Sequence, residues 1–156
     1  MMKKNWSIQS TLIFLLVVIV LSLPALSFAG EYVSVKKDGV NIRSGPSTDD
    51  EILYEVFKDF PLEVLQRKGD WVQTRDYEND KGWIYASLLS DKTTVIVKVD
   101  TANMRSGPGT ENKIIATVKK GVVFKPIGKE GDWIKLQYKN DITGWMHNTL
   151  LWPSNF

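Results

Sequence analysis

The stretch Asn41-Ile42-Arg43-Ser44-Gly45-Pro46 returns as Asn103-Met104-Arg105-Ser106-Gly107-Pro108. The same offset of 62 residues carries Gly69-Asp70-Trp71 onto Gly131-Asp132-Trp133, Gly82-Trp83 onto Gly144-Trp145, and Leu88-Leu89 onto Leu150-Leu151. Nothing is inserted between them, and 16 of the 50 aligned positions from Val40 to Leu89 are identical. Six of the identities are Gly, Pro or Trp against three charged residues, so the repeat first constrains turns and cores. Two copies of one small unit are expected, built alike.

Each unit reads as short strands. Tyr32 to Val35 alternates apolar and polar residues, Lys37-Asp38-Gly39 turns the chain, and Val40 to Arg43 runs back. Pro46 removes a ladder donor and keeps Gly45 out of the helical region, which forces a loop reaching to Glu51. Arg43 and Arg105 stand at the edge of that loop, where a guanidinium either meets an anion or bonds loop carbonyls and stacks on a Trp. Further strands are expected at Ile52 to Phe57, Leu62 to Leu65, Trp71 to Arg75 and Gly82 to Tyr85, with a short helical turn at Ala86 to Leu89. Gly69 supplies the positive φ of a tight hairpin, and Asp76 to Lys81 is a polar tip. The linker Ser90-Asp91-Lys92 is too short to let the copies drift apart.

The order Asn-apolar-Arg-Ser-Gly-Pro, an apolar strand, Gly-Asp-Trp, Gly-Trp and Leu-Leu resembles the bacterial SH3 (SH3b) family, twice over nearly all of the chain after residue 30. The resemblance implies an all-β fold of two tandem small SH3-like β-barrels, at residues 30–92 and 93–156. It further implies an exported binding or targeting module for cell-wall material, and no activity of its own.

Lys3 and Lys4, an apolar run from Leu12 to Leu23, and Ser27-Phe28-Ala29 have the order of a secretory signal peptide over residues 1–29, with cleavage after Ala29. The alternative is an uncleaved membrane anchor, but the run is shorter than the roughly 20 residues that span a bilayer, which favours cleavage; no span is expected in the chain that remains. An exported protein is expected, in the periplasm first, with a secreted or wall-associated location as the alternative. There is no Cys, so neither a lipid anchor on cysteine nor a disulfide can help. Each barrel must then stand on packing, and a domain of about 60 residues is marginal alone, so contact between the copies would stabilise both.

From residue 30 onward the chain is neutral, but the first copy carries 9 basic and 13 acidic residues and the second 9 and 5. Neutrality argues against a nucleic-acid partner. The charge split argues for mutual attraction if the copies face each other.

Catalysis finds little to work with. A nucleophilic triad needs a base beside its nucleophile, and the one His is His147. No catalytic residue, cofactor or metal is expected. Asp49-Asp50 and the Glu78/Asp80 pair lie in turn sequences where water solvates them. Alternation places Trp133, Lys135 and Gln137 opposite the apolar Ile134 and Leu136, and Trp145 and His147 opposite Met146. The matching set in the first copy is Trp71, Trp83 and Tyr85. These six aromatic and imidazole side chains are the candidate binding residues, for peptidoglycan or its peptide stems. Two alternatives stay open: the rings form a second small core or the contact between copies, and the module docks an envelope protein instead.

Overall fold

A computed structural model describes residues 30–139 and 142–154. The proposed signal peptide at residues 1–29 lies outside the described residues. The first copy comprises β1 (Glu31–Val35), β2 (Val40–Arg43), β3 (Ile52–Val56), β4 (Pro61–Lys68), β5 (Trp71–Arg75), β6 (Lys81–Tyr85) and β7 (Leu89–Ser90), with a single 3-10 turn at Ala86–Leu88. The second comprises β8 (Val95–Val97), β9 (Thr101–Arg105), β10 (Ile114–Lys119), β11 (Val123–Glu130), β12 (Trp133–Tyr138), β13 (Ile142–His147) and β14 (Leu151–Trp152), with the matching turn at Asn148–Leu150. The two sheets have one topology, β3-β2-β6-β5-β4-β1-β7 and β10-β9-β13-β12-β11-β8-β14. The fold is all-β, two tandem SH3-like units.

Gly69 and Gly131 take φ of 57° and 56°, which turns β4 into β5 and β11 into β12. Four β-bulges close the sheets. They fall where Leu53, Leu65, Ile115 and Ile127 have no cross-strand partner, again 62 residues apart in pairs. A bulge bends its strand and steepens the twist, and all four bulged side chains end up exposed.

The cores repeat as well. Val33, Val35, Val40, Ile42, Leu62, Val72, Ile84 and Leu89 are buried in the first copy, and Val95, Val97, Ala102, Met104, Phe124, Ile134, Met146 and Leu151 occupy the same eight places in the second. Ile134, Leu136 and Met146 point inward as alternation requires. Gly82 and Gly144 sit inside strands β6 and β13, facing these cores. A Cβ there would come within 2.3 Å of Ile42 Cγ2 and 2.4 Å of Met104 Cγ, respectively.

Strand β8 departs from alternation, because Val95, Ile96 and Val97 are all buried. Val95 and Val97 face their own core, while Ile96 joins the first copy's core, with Val123 and Trp152 packed against it. The second copy thus lends side chains to the first. The contact is completed by Tyr32 against Trp152, by Thr94 Oγ1 donating to the Asp59 carbonyl at 2.8 Å, and by Lys120 Nζ on Glu78 at 2.6 Å and near the Tyr77 ring. The copies sit together on apolar side chains, with one ion pair across them among the described residues. The Lys120–Glu78 pair is where their opposite charges meet.

Candidate functional site

Strands β5 and β6 set the aromatic face of the first copy. Trp71 stands directly across from Tyr85 and Gln73 from Trp83, so all four side chains share one side of the hairpin. In the second copy β12 and β13 do the same, with Trp133 across from His147 and Lys135 from Trp145.

The six candidates divide into two kinds. Trp71 and Tyr85 meet edge to face, with centroids 5.6 Å apart and planes at 77°. Trp133 and His147 reproduce this at 5.5 Å and 89°. In an edge-to-face pair the edge of one ring covers one face of the other, so the pairing itself does not block the remaining faces. Trp71, Trp133 and His147 are half-buried and Tyr85 is 40% exposed, so both pairs reach the surface.

Trp83 differs from the outward placement expected of it, being only 9% exposed. It lies between Gln73 on β5 and Arg43 on β2, covered from both sides of its strand, and cannot offer a face to a ligand. Trp145 is half-buried in the same position, between Lys135 and Arg105, with Lys135 Nζ 5.9 Å from its ring centre. A strand in the middle of a strongly bent sheet covers both its faces, which simple alternation does not foresee.

Arg43 and Arg105 bond loop carbonyls rather than present a free fork. Arg43 Nη1 donates to the carbonyls of Thr48 and Asp50, both at 2.8 Å, and Arg105 Nη1 to those of Thr110 and Asn112 at 2.7 and 2.8 Å. They pin the loop after Ser-Gly-Pro in each copy. The pinned loop in turn walls the aromatic pair. A cavity of about 280 Å3 opens beside Trp71 and Tyr85, and Lys37, Asn41, Thr48 and Leu88 line it.

Sequence reading missed Lys37, Asn41 and Thr48 as part of this site. Asn41 and Thr48 lie in the repeated segment and were legible there; Lys37 has Val99 at its repeat position, so the two sites differ in charge as well as in Tyr85 against His147. His147 Nδ1 lies 2.8 Å from Thr149 Oγ1, which fixes the imidazole at the start of the 3-10 turn.

Away from the aromatic face, Asp76 in the expected polar tip is buried, with 5% exposure. Its Oδ1 accepts the Glu78 and Asp80 amides at 2.9 and 3.0 Å. Burial pushes its carboxyl above the usual range, against the pull of those two amides. Burial, reinforced by Asp76, also raises the Tyr54 phenol. The described residues contain no group of three His, Cys, Asp or Glu placed to hold a metal, and no helix long and apolar enough to cross a membrane.

Models of the bacterial SH3 domain match residues 36–91 and residues 100–151. The chain carries two bacterial SH3 domains in tandem. YrvJ of Bacillus subtilis, provisionally named an N-acetylmuramoyl-L-alanine amidase, is 34% identical over 128 residues, which cover 75% of this chain and 24% of YrvJ. LytH of Staphylococcus epidermidis, provisionally named a cell wall amidase, is 30% identical over 77 residues, covering 46% of this chain and 26% of LytH. The chain therefore spans about a quarter of the length of these curated relatives. Among solved structures, an NlpC/P60 family protein from Bacillus cereus aligns with a TM-score of 0.36 at 14% identity, over 77% of this chain and 55% of that one.

Proposed function

We propose that this tandem SH3b protein is an exported, non-catalytic module that binds bacterial peptidoglycan or its peptide stems through the Trp71–Tyr85 and Trp133–His147 pairs. The observation that carries this reading is the recurrence of one surface-reaching, perpendicular ring pair at the same place in both copies. Aromatic faces suit sugar rings and apolar peptide edges, and polar groups such as Asn41 and Thr48 beside Trp71 can fix a ligand's orientation. The names of YrvJ and LytH support a wall ligand, since the matched stretches of both lie within proteins named for wall amidase activity. The non-catalytic part rests on the sequence, which has no Cys and a single His. Two linked sites raise avidity where both reach one sacculus.

A second reading, docking to an envelope protein, draws on the edge strands. Ile52 and Leu53 on β3, and Ile114 and Ile115 on β10, are exposed at the outer edge of each sheet. An exposed apolar edge can accept a partner strand. Co-sedimentation with purified sacculi, set against a neutral polymer, separates the two: wall binding predicts retention on sacculi alone.

A further inference from the structure

A larger cavity lies in the cleft between the copies, a groove of about 1050 Å3. Its walls are the segment after β3, the interdomain linker, the start of β11 and the end of β12. Neither copy forms it alone. Lys58, Lys92, Lys125 and Lys139 line it, all exposed, against a single carboxylate, Asp59. None of the four ammoniums has an ion-pair partner among the described residues. A cleft walled by one sign of charge concentrates the opposite sign within it.

We propose that this groove binds a linear phosphodiester polymer. Lysines from four separate segments surround it, and no arginine does. Ammoniums spread along a groove meet phosphates spaced along a chain as point charges, with no fork geometry required of the ligand. The volume lies at the upper limit of small-ligand pockets, about 300 to 1,000 Å3, and so has room for several polymer units. Single-stranded nucleic acid needs a row of stacking platforms, and of the three rings that line the groove, Phe57, Phe124 and Tyr138, only Phe57 is exposed. Tyr138 is already engaged, by Phe124 at 5.5 Å and by Lys139 Nζ at 5.3 Å from its centre. This site is separate from the aromatic pairs and does not depend on their ligand.

The test is a titration of the chain from residue 30 onward with labelled poly(glycerol phosphate) at low salt. Binding is expected, weakening as salt rises. The K125Q/K139Q and K58Q/K92Q variants should each weaken it roughly tenfold, while K98Q/K113Q, outside the groove, and W71A should leave it unchanged. Asp59→Asn should tighten it, a sign that partial unfolding cannot produce; Asn tolerates the φ of 65° at this position and keeps both backbone bonds. No binding, binding indifferent to both lysine pairs, or equal affinity for poly-glutamate or oligo-thymidine would overturn the proposal.

Discussion

Tyr32, on the first strand of the first copy, meets Trp152, on the last strand of the second, edge to face with ring centroids 5.5 Å apart. The two ends of the described chain thus close on each other across the contact that Ile96 anchors. Such a ring pair contributes about 0.5–1.5 kcal/mol beyond its buried area. The linker is short, the contact is apolar, and the two barrels should behave as one cooperative body.

Ile96→Ala tests that coupling. The residue belongs to the second copy by sequence and to the first copy's core by packing. Truncation should cost about 2–5 kcal/mol. Hydrogen exchange should quicken at first-copy amides such as Val33 and Val35; acceleration confined to the second copy would show that the cores are independent.

Gly82→Val and Gly144→Val should each disrupt their own core. The obstacle is the side chain across the strand pair, Ile42 or Met104, rather than a turn conformation. A cost of about 1–3 kcal/mol follows from overpacking of this kind. Thermal melts followed by tryptophan fluorescence measure it, and unchanged midpoints in both variants would contradict it.

Asp76 gives a pH dependence of defined sign. Its carboxyl is raised from 3.8 in the folded state, so its contribution favours folding in acid and is lost as pH rises through the folded value. Asp76→Asn keeps an oxygen acceptor for Glu78 and Asp80 without a buried charge. It should be more stable than the parent at pH 7, with the gap closing near pH 3, as read from urea midpoints. Asp76→Ala removes the acceptor and should cost about 1–3 kcal/mol. Glu78 acts in the opposite sense: its hydrogen bond with Lys120 holds its carboxyl below the usual range, and that contribution disappears as pH falls.

Arg43→Ala should loosen the loop from Ser44 to Glu51. Two carbonyls lose their donor at once, at a cost of about 1–3 kcal/mol. Arg43→Lys should recover only part of it, since an ammonium lacks the planar geometry of the guanidinium. Limited proteolysis in this loop reports the change.

Much of this was legible because the repeat is. Turns at Gly69 and Gly131, the 3-10 closure after Tyr85, the inward Ile134, Leu136 and Met146, and the carbonyl-bound arginines follow from local chemistry. What escaped depends on contacts distant in sequence. Ile96 is buried on the face where alternation expects solvent, because the other copy is there. Trp83 is covered because its strand is central in a bent sheet. Leu53 and Leu65 lie at bulges, where the period of two slips. Asp76 resides in a polar run whose own amides fold back over it. The groove lysines come from four segments: β11–β12 pairing brings Lys125 and Lys139 together, and only the docking of the copies adds Lys58.

The most direct test of wall binding through the ring pairs is a quantitative titration, on sacculi freed of phosphodiester polymers, of the chain from residue 30 onward beside Trp71→Ala, Trp133→Ala and their double variant, with folding verified by circular dichroism. Each single variant should lower affinity, and the double should lose nearly all specific binding, because the linked sites act together. Trp83→Phe, altering a covered ring, should bind as the parent does. Full retention by the folded double variant would contradict the assignment of these pairs as the wall-binding site.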